Sequence, residues 1–294
     1  MGLRLKFNVV LALVFLAGLA AAAAVSRQLL QDNARQEVVR EARLMLEAAT
    51  SVRAYTVDHV RPHLAVQAAE VFLPQSVPAF AATEVIGSLR RWQSAYGYKE
   101  ATLNPTNPRN RVTDWEADVV QRFRQDPALS EIVAERTAAS GRSLFIAKPI
   151  QVSHPACLQC HGAPSSAPVG MLRLYGQANG FGWQHGETVG AQIVTVPMDV
   201  PLAQAQRVFT TFIASLATVF ALAFIVLNLM LGWLILRPIR RMAQAADRLS
   251  TGDFQVPEFS EHGHDEITVL GSAFNRMRRS LEKAMAMLRA EKHR

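Results

Sequence analysis

Two uncharged apolar runs divide this chain. The first, Asn8 to Val25, follows Arg4 and Lys6 and precedes Arg27. It is about long enough to span a bilayer as a helix, which takes roughly 20 residues, and its Ala-rich end also resembles a cleavable signal peptide. The second, Val208 to Leu236, holds no charged residue over 29 positions and stops at Arg237-Pro238-Ile239-Arg240-Arg241, as a transmembrane helix does. Basic residues mark the cytoplasmic side of a span. Residues 1–7 are therefore a cytoplasmic N-terminus, 8–25 and 208–236 two membrane helices in contact with lipid, 26–207 an exported domain, and 237–294 cytoplasmic.

Within the exported domain, Gln28 to about Leu64 reads as one long helix continuing from the first span. Val38, Ala42, Met45, Ala49 and Val52 recur at steps of four and three, an apolar stripe at helical period. Extending that stripe places Thr56, His59 and His63 on the buried face, with Pro62 set to kink or restart the helix. Leu103 to Pro108 is turn chemistry, because each proline pushes the residue before it out of the helical region. Thr113-Asp114-Trp115-Glu116 fits a capping box that opens another helix. Ser143 to Val152 and Gly190 to Met198 are apolar and β-branched and bounded by Gly or Pro, and they read as strands, as does Met171 to Tyr175. Asn179-Gly180-Phe181-Gly182-Trp183 is a tight turn whose aromatics either line a pocket or plug a core edge. Pro201 opens the helix that enters the second span.

On the cytoplasmic side, Ile239, Met242, Ala246 and Leu249 form a short amphipathic helix that Gly252 breaks. Phe254 and Val256 lie in a connector. From Asp265-Glu266 a second helix carries Ile267, Leu270, Phe274, Met277, Leu281, Ala284 and Leu288 at heptad spacing. Two such helices, parallel because a long connector joins them, cannot bury their stripes alone. They require a second chain, as a four-helix bundle in a homodimer.

The net charge of +7 is spread along the chain: +2 in residues 1–7, +2 in 26–207 and +3 in 237–294. No dense basic stripe calls for nucleic acid. The chemistry lies in Cys157-Leu158-Gln159-Cys160-His161, which holds both cysteines of the chain. Cys-x-x-Cys-His is the spacing of covalent c-type haem attachment. In that reading Cys157 and Cys160 form the thioethers and His161 is the proximal iron ligand. The rivals are zinc on His154, Cys157, Cys160 and His161, a thiol-disulfide exchange pair and a structural disulfide. Zinc sites usually draw on two separated knuckles, the strand and helix pattern of thioredoxin-like folds is missing, and a two-residue disulfide loop stabilises little. Attachment of haem c happens outside the cytoplasmic membrane, which agrees with the topology.

Residues 237–290, with Pro238, Gly252, Asp265-Glu266-Ile267 and Phe274-Asn275-Arg276-Met277, resemble a HAMP domain, leaving 291–294 as a tail. Residues 27–207 resemble the bacterial c-type haem sensor family with a PAS-like fold, through Ser51 to Thr56, Lys99 to Pro105, Cys157 to His161, Asn179 to Trp183 and Val189 to Met198. The resemblance implies an α+β protein: a PAS-like antiparallel sheet with a long N-terminal helix, between two transmembrane helices, then a HAMP parallel coiled coil. It implies a periplasmic, haem-holding, non-enzymatic sensor in the inner membrane that responds to redox state or to O2, NO or CO. A separate cytoplasmic signalling protein is the expected output, because the sequence given stops just after the second HAMP helix.

Part of that family takes the second axial ligand from a cysteine of the first helix, and this chain has no cysteine to spare. His59 is the candidate distal ligand and His63 the runner-up, with Met198 and Met171 behind them. His154 sits on the proximal side and His185 in a Gly-rich loop. Arg53, Arg61 and Arg173 are propionate partners by charge alone. Two other functions share the haem motif: a membrane-anchored monohaem cytochrome for electron transfer, which has no use for a HAMP-like end, and a peroxidase, which lacks a separate acid/base constellation.

Overall fold

The computed structural model describes residues 2–89, 91, 92, 94–138 and 141–292. They form two compact units, residues 26–209 and residues 1–25 with 210–294.

The first unit begins within helix α1, Leu3–Tyr55. No Gly or Pro interrupts the sequence between Gly18 and Pro62, and the Ala, Leu, Arg, Glu and Gln that fill it are strong helix formers. Val38, Ala42, Leu46 and Ala49 form the buried stripe. Met45 and Val52 flank it and pack against its neighbours.

A π-helical turn, Thr56–Val60, follows α1, and α2, Arg61–Glu70, starts with Pro62 at its second position. This turn corrects the placement of the two histidines. A π turn carries about one residue more than the α-helical turn it replaces, so every later side chain is set back by one position. The inner stripe passes through Thr56, which is buried, to Val60 and Leu64, which are half-buried, while His59 and His63 are exposed. The His59 ring lies 5.2 Å from that of Tyr55, itself exposed.

Helix α3, Pro78–Leu89, sets Ala82 and Ile86 against Ala49. Four strands follow: β1, Gly97–Thr102; β2, Ile132–Ala138; β3, Gly141–Gln151; and β4, Thr188–Pro197. They form one sheet in the order β1-β4-β3-β2, every pair antiparallel. Alternation sends Leu144, Ile146, Val194 and Val196 to α1. Phe145, Ala147, Ala191 and Ile193 point the other way, to Val119, Val120 and Phe123 of α4, Asp114–Gln125. At about 1.5–3 kcal/mol for each large apolar side chain removed from water, these two faces hold the sheet between its helices. The capping box at α4 forms as expected, with the Glu116 carboxylate accepting the Thr113 N–H at 2.7 Å.

Between β3 and β4 lie α5, Leu158–His161, and α6, Val169–Tyr175. The second corrects the expected strand at Met171 to Tyr175. Pro168 starts a helix there and Gly176, at φ +78°, ends it. Burial peaks at Met171 and returns only in part four residues later at Tyr175, a helical period. Phe72 packs its edge against Tyr175.

Helix α7, Asp199–Met230, is followed by a π turn, Leu231–Leu236. Two helical stretches, Leu3–Leu64 and Asp199–Ser250, contain windows long and apolar enough to cross a membrane. Helix α8, Arg237–Ser250, buries Met242, Ala245 and Leu249, so Ala245 takes the place expected for Ala246. Gly252, at φ +91°, breaks it, and Val256 of the connector is buried. At the start of α9, Glu266–Lys292, the Asp265 carboxylate accepts the Thr268 N–H at 2.8 Å.

Buried Asn275 fastens the connector to α9. Its Oδ1 accepts from Phe259 N at 3.0 Å and its Nδ2 donates to Phe259 O at 2.8 Å and Glu261 Oε1 at 3.1 Å. Replacing it by alanine (N275A) leaves the Phe259 backbone groups without these partners, at a cost of about 1–3 kcal/mol. Amide exchange across residues 254–262 is expected to quicken in N275A, with the sheet of the other unit unaffected.

Candidate functional site

The site forms where β3 leaves the sheet and β4 enters it. Beyond β3 the two arms stay paired: Val152 N donates to Glu187 O at 2.9 Å and Gly186 N to Val152 O at 2.9 Å. A 3₁₀ turn, Pro155–Cys157, opens with the His154 ring, whose Nδ1 accepts from Ala156 N at 3.1 Å. Helix α5 follows and closes with Gly162 N donating to Leu158 O at 2.8 Å. The three-residue step from Cys157 to Cys160 places both thiols on one side of this short helical segment, and both are free and partly exposed.

The returning arm, residues 179–183, is held to α5 through the backbone. Gly182 N donates to Gly162 O at 2.8 Å and Trp183 N to His161 O at 3.1 Å. This arm fixes the His161 ring in two ways. Trp183 stacks on it with centroids 3.9 Å apart and an interplanar angle of 11°. Gly180 O lies 2.8 Å from Nδ1. A carbonyl oxygen only accepts, so Nδ1 carries the proton and Nε2 keeps its lone pair. Burial pushes the His161 pKa down, with the Gly180 hydrogen bond opposing it, and the neutral ring is the form that binds metal. A backbone carbonyl on the second ring nitrogen is the usual means by which a protein orients a metal-ligating histidine. Thr106 Oγ1, from the loop after β1, lies 3.4 Å from the same Nδ1.

The far wall comes from α1 and α2. Arg53 lies within Coulombic range of Cys157, and Arg61 of Cys160. Burial pushes the Cys160 thiol up; Arg61 acts in the opposite direction and Cys157 in the same one.

Cys157, Cys160, His161 and Trp183 thus come together, and Asn179 to Trp183 line the site rather than plug a core edge. His59 and His63 are exposed, as is His185. Met198 is buried in the α1-facing core at the opposite end of β4. Met171 is buried in α6. His154 spends Nδ1 on capping its turn, and no group of three or more His, Cys, Asp or Glu side chains able to hold a metal ion occurs among the described residues. Sequence reasoning missed Gly180 as the partner of His161; the Gly-x-Gly spacing around Phe181 was its only trace.

A family model described as Tll0287-like matches residues 31–197, more than half of the chain. The chain belongs to the Tll0287-like family. The matched residues run from α1 to the last residue of β4 and include the Cys157 to His161 site. A HAMP domain matches residues 230–283, starting ahead of the expected 237–290. The sensor histidine kinase WalK of Bacillus subtilis (strain 168) is 30% identical over 125 residues, 42% of this chain and 20% of WalK. The chain therefore spans about a fifth of the length of that relative. Among solved structures, the cyanobacterial heme-protein Tll0287 is similar at 19% identity, over 55% of this chain and 95% of that one, with a TM-score of 0.38.

Gly180 adopts φ +83°, and a Cβ there would lie 2.0 Å from Thr106 Oγ1. Gly180→Ala is expected to cost about 1–3 kcal/mol and to pull the carbonyl away from His161. Nitrogen NMR of the apo-protein's His161 ring checks this: a protonated Nδ1 in the wild type, and a mixture of tautomers in G180A.

Proposed function

We propose that residues 26–207 form a periplasmic haem c sensor with a PAS-like fold, which signals across the inner membrane through the HAMP domain. The observation that carries this reading is the His161 imidazole, protonated at Nδ1 by its bond to Gly180 O and free at Nε2. Beside it stand two free thiols at the attachment spacing. The donor set fits haem c: Cys157 and Cys160 would hold the porphyrin and His161 the iron. When bound, the haem supplies an iron that changes oxidation state or takes O2, NO or CO.

The chain's own residues do the rest. Gly180 O and Trp183 fix the plane and tautomer of the ligating ring. Trp183 covers one face of that ring. Arg61, without an ion pair among the described residues and within Coulombic range of Cys160, is suited to a propionate, since Arg53 is already engaged by Glu100. His59, the candidate distal ligand, lies in the π turn between Arg53 and Arg61, and its exposed ring, or that of His63, would be available to a haem bound at this site.

The protein from which the family takes its name, Tll0287, is described as a cyanobacterial heme-protein, which supports haem. HAMP and the kinase relative support signalling. We read the protein as a non-enzymatic homodimer, joined through parallel HAMP helices whose outer Leu270, Met277, Leu281 and Leu288 stay exposed in one chain. Its signal passes to a cytoplasmic partner protein. A monohaem cytochrome for electron transfer would use the same site, and the HAMP domain counts against it.

The test is the absorption spectrum of the full chain produced with haem-attachment machinery, in oxidised, reduced and carbon monoxide-treated forms. Reduced protein is expected to bind carbon monoxide, and H59A to alter the spectra before the gas is added. A reduced spectrum indifferent to the gas would exclude gas sensing and favour redox sensing or electron transfer. Unchanged spectra in H59A would remove His59 as a ligand.

A further inference from the structure

Glu100 is 3% exposed, in the middle of β1. A carboxylate at such a depth costs several kcal/mol unless it is paired and hydrogen-bonded. Here both of its oxygens accept from Arg53 Nη1, and Oε1 also accepts from the Tyr98 hydroxyl at 2.8 Å. Around it lies a polar row across the sheet, for Glu100 pairs with Gln192 of β4 and Gln192 with Lys148 of β3. Arg53 reaches this row from α1, three residues before the π turn, and it lies within Coulombic range of Cys157.

The capping of α4, the two apolar faces and the hold on the His161 ring do not use this pair. Its position gives it a use. A charge in a poorly solvated interior is felt over distances at which water would screen it. Arg53 and Glu100 together present a nearly neutral pair to the edge of the site where Cys157 would attach the cofactor. Oxidised iron carries one more positive charge than reduced iron. An uncompensated guanidinium in this place disfavours the oxidised form, and an uncompensated carboxylate favours it.

We propose that Arg53 and Glu100 set the reduction potential of the haem held at Cys157, Cys160 and His161, as positioning charges that touch neither iron nor ligand. The proposal rests on the haem reading above. The pair also ties α1 to β1.

The experiment is a spectroelectrochemical titration of the full-length protein carrying its cofactor. Glu100→Gln leaves the cation alone and is expected to raise the midpoint potential. The double replacement R53M/E100Q removes both charges and is expected to return the midpoint toward the wild-type value. Tyr98→Phe removes a hydrogen bond but no charge, and should move the midpoint least. If E100Q does not accumulate, Arg53→Gln carries the opposite change and is expected to lower the midpoint.

An unchanged midpoint in E100Q, or in R53Q, overturns the proposal. So does an equal displacement in E100Q and the double variant, since that is the mark of a loosened pocket rather than of a charge. Wild-type protein without covalent haem overturns the functional reading and this proposal with it, a result separable from the others before any titration begins.

Discussion

One hydrogen bond, from His161 Nδ1 to the Gly180 carbonyl, organises this end of the protein. It decides which ring nitrogen is free, and so which one the imidazole offers to a metal. The bond in turn requires Gly180 at positive φ, packed so closely on Thr106 that no side chain fits there. It needs the 179–183 arm to lie along α5, which the backbone bonds from Gly182 and Trp183 secure. Those arms are the continuations of β3 and β4, neighbours in the sheet. The geometry at one imidazole therefore depends on the two-sided core that holds the ladder together.

Helix α1 serves several of these demands at once. Its stripe from Val38 to Ala49 covers one face of the sheet, Arg53 meets the buried carboxylate of β1, and its end passes into the π turn beside the cysteines. The same helix begins with the first apolar run of the chain. In the functional reading proposed here, a change at the site and a change in a membrane helix then belong to a single element.

Much of this was legible in the residues. The two long apolar helices, β3, β4, α4 and the two helices around Gly252 follow from charge, periodicity and turn chemistry, each a local signal. The Cys-x-x-Cys-His spacing was legible for the same reason. The outward turn of His59 was not, because helical periodicity assumes α geometry throughout and nothing in Thr56 to Val60 announces an extra residue. Met171 to Tyr175 misled because a short apolar run does not distinguish strand from helix, and Pro168 and Gly176 decide it only once the chain around them is placed. Glu100 and Arg53 are 47 residues apart. Their pairing, like that of His161 with Gly180, is set by sheet register, which no local pattern states.

The most direct test of the central claim is the mass of the intact protein, produced with haem-attachment machinery, after extraction with acidified organic solvent, together with the variants C157A, C160A and H161A. The account predicts one haem that resists extraction in the wild type, weakened or lost attachment in either cysteine variant, and an attached but spectrally altered haem in H161A. A wild-type polypeptide of unmodified mass would contradict it, and would return Cys157, Cys160 and His161 to thiol or zinc chemistry.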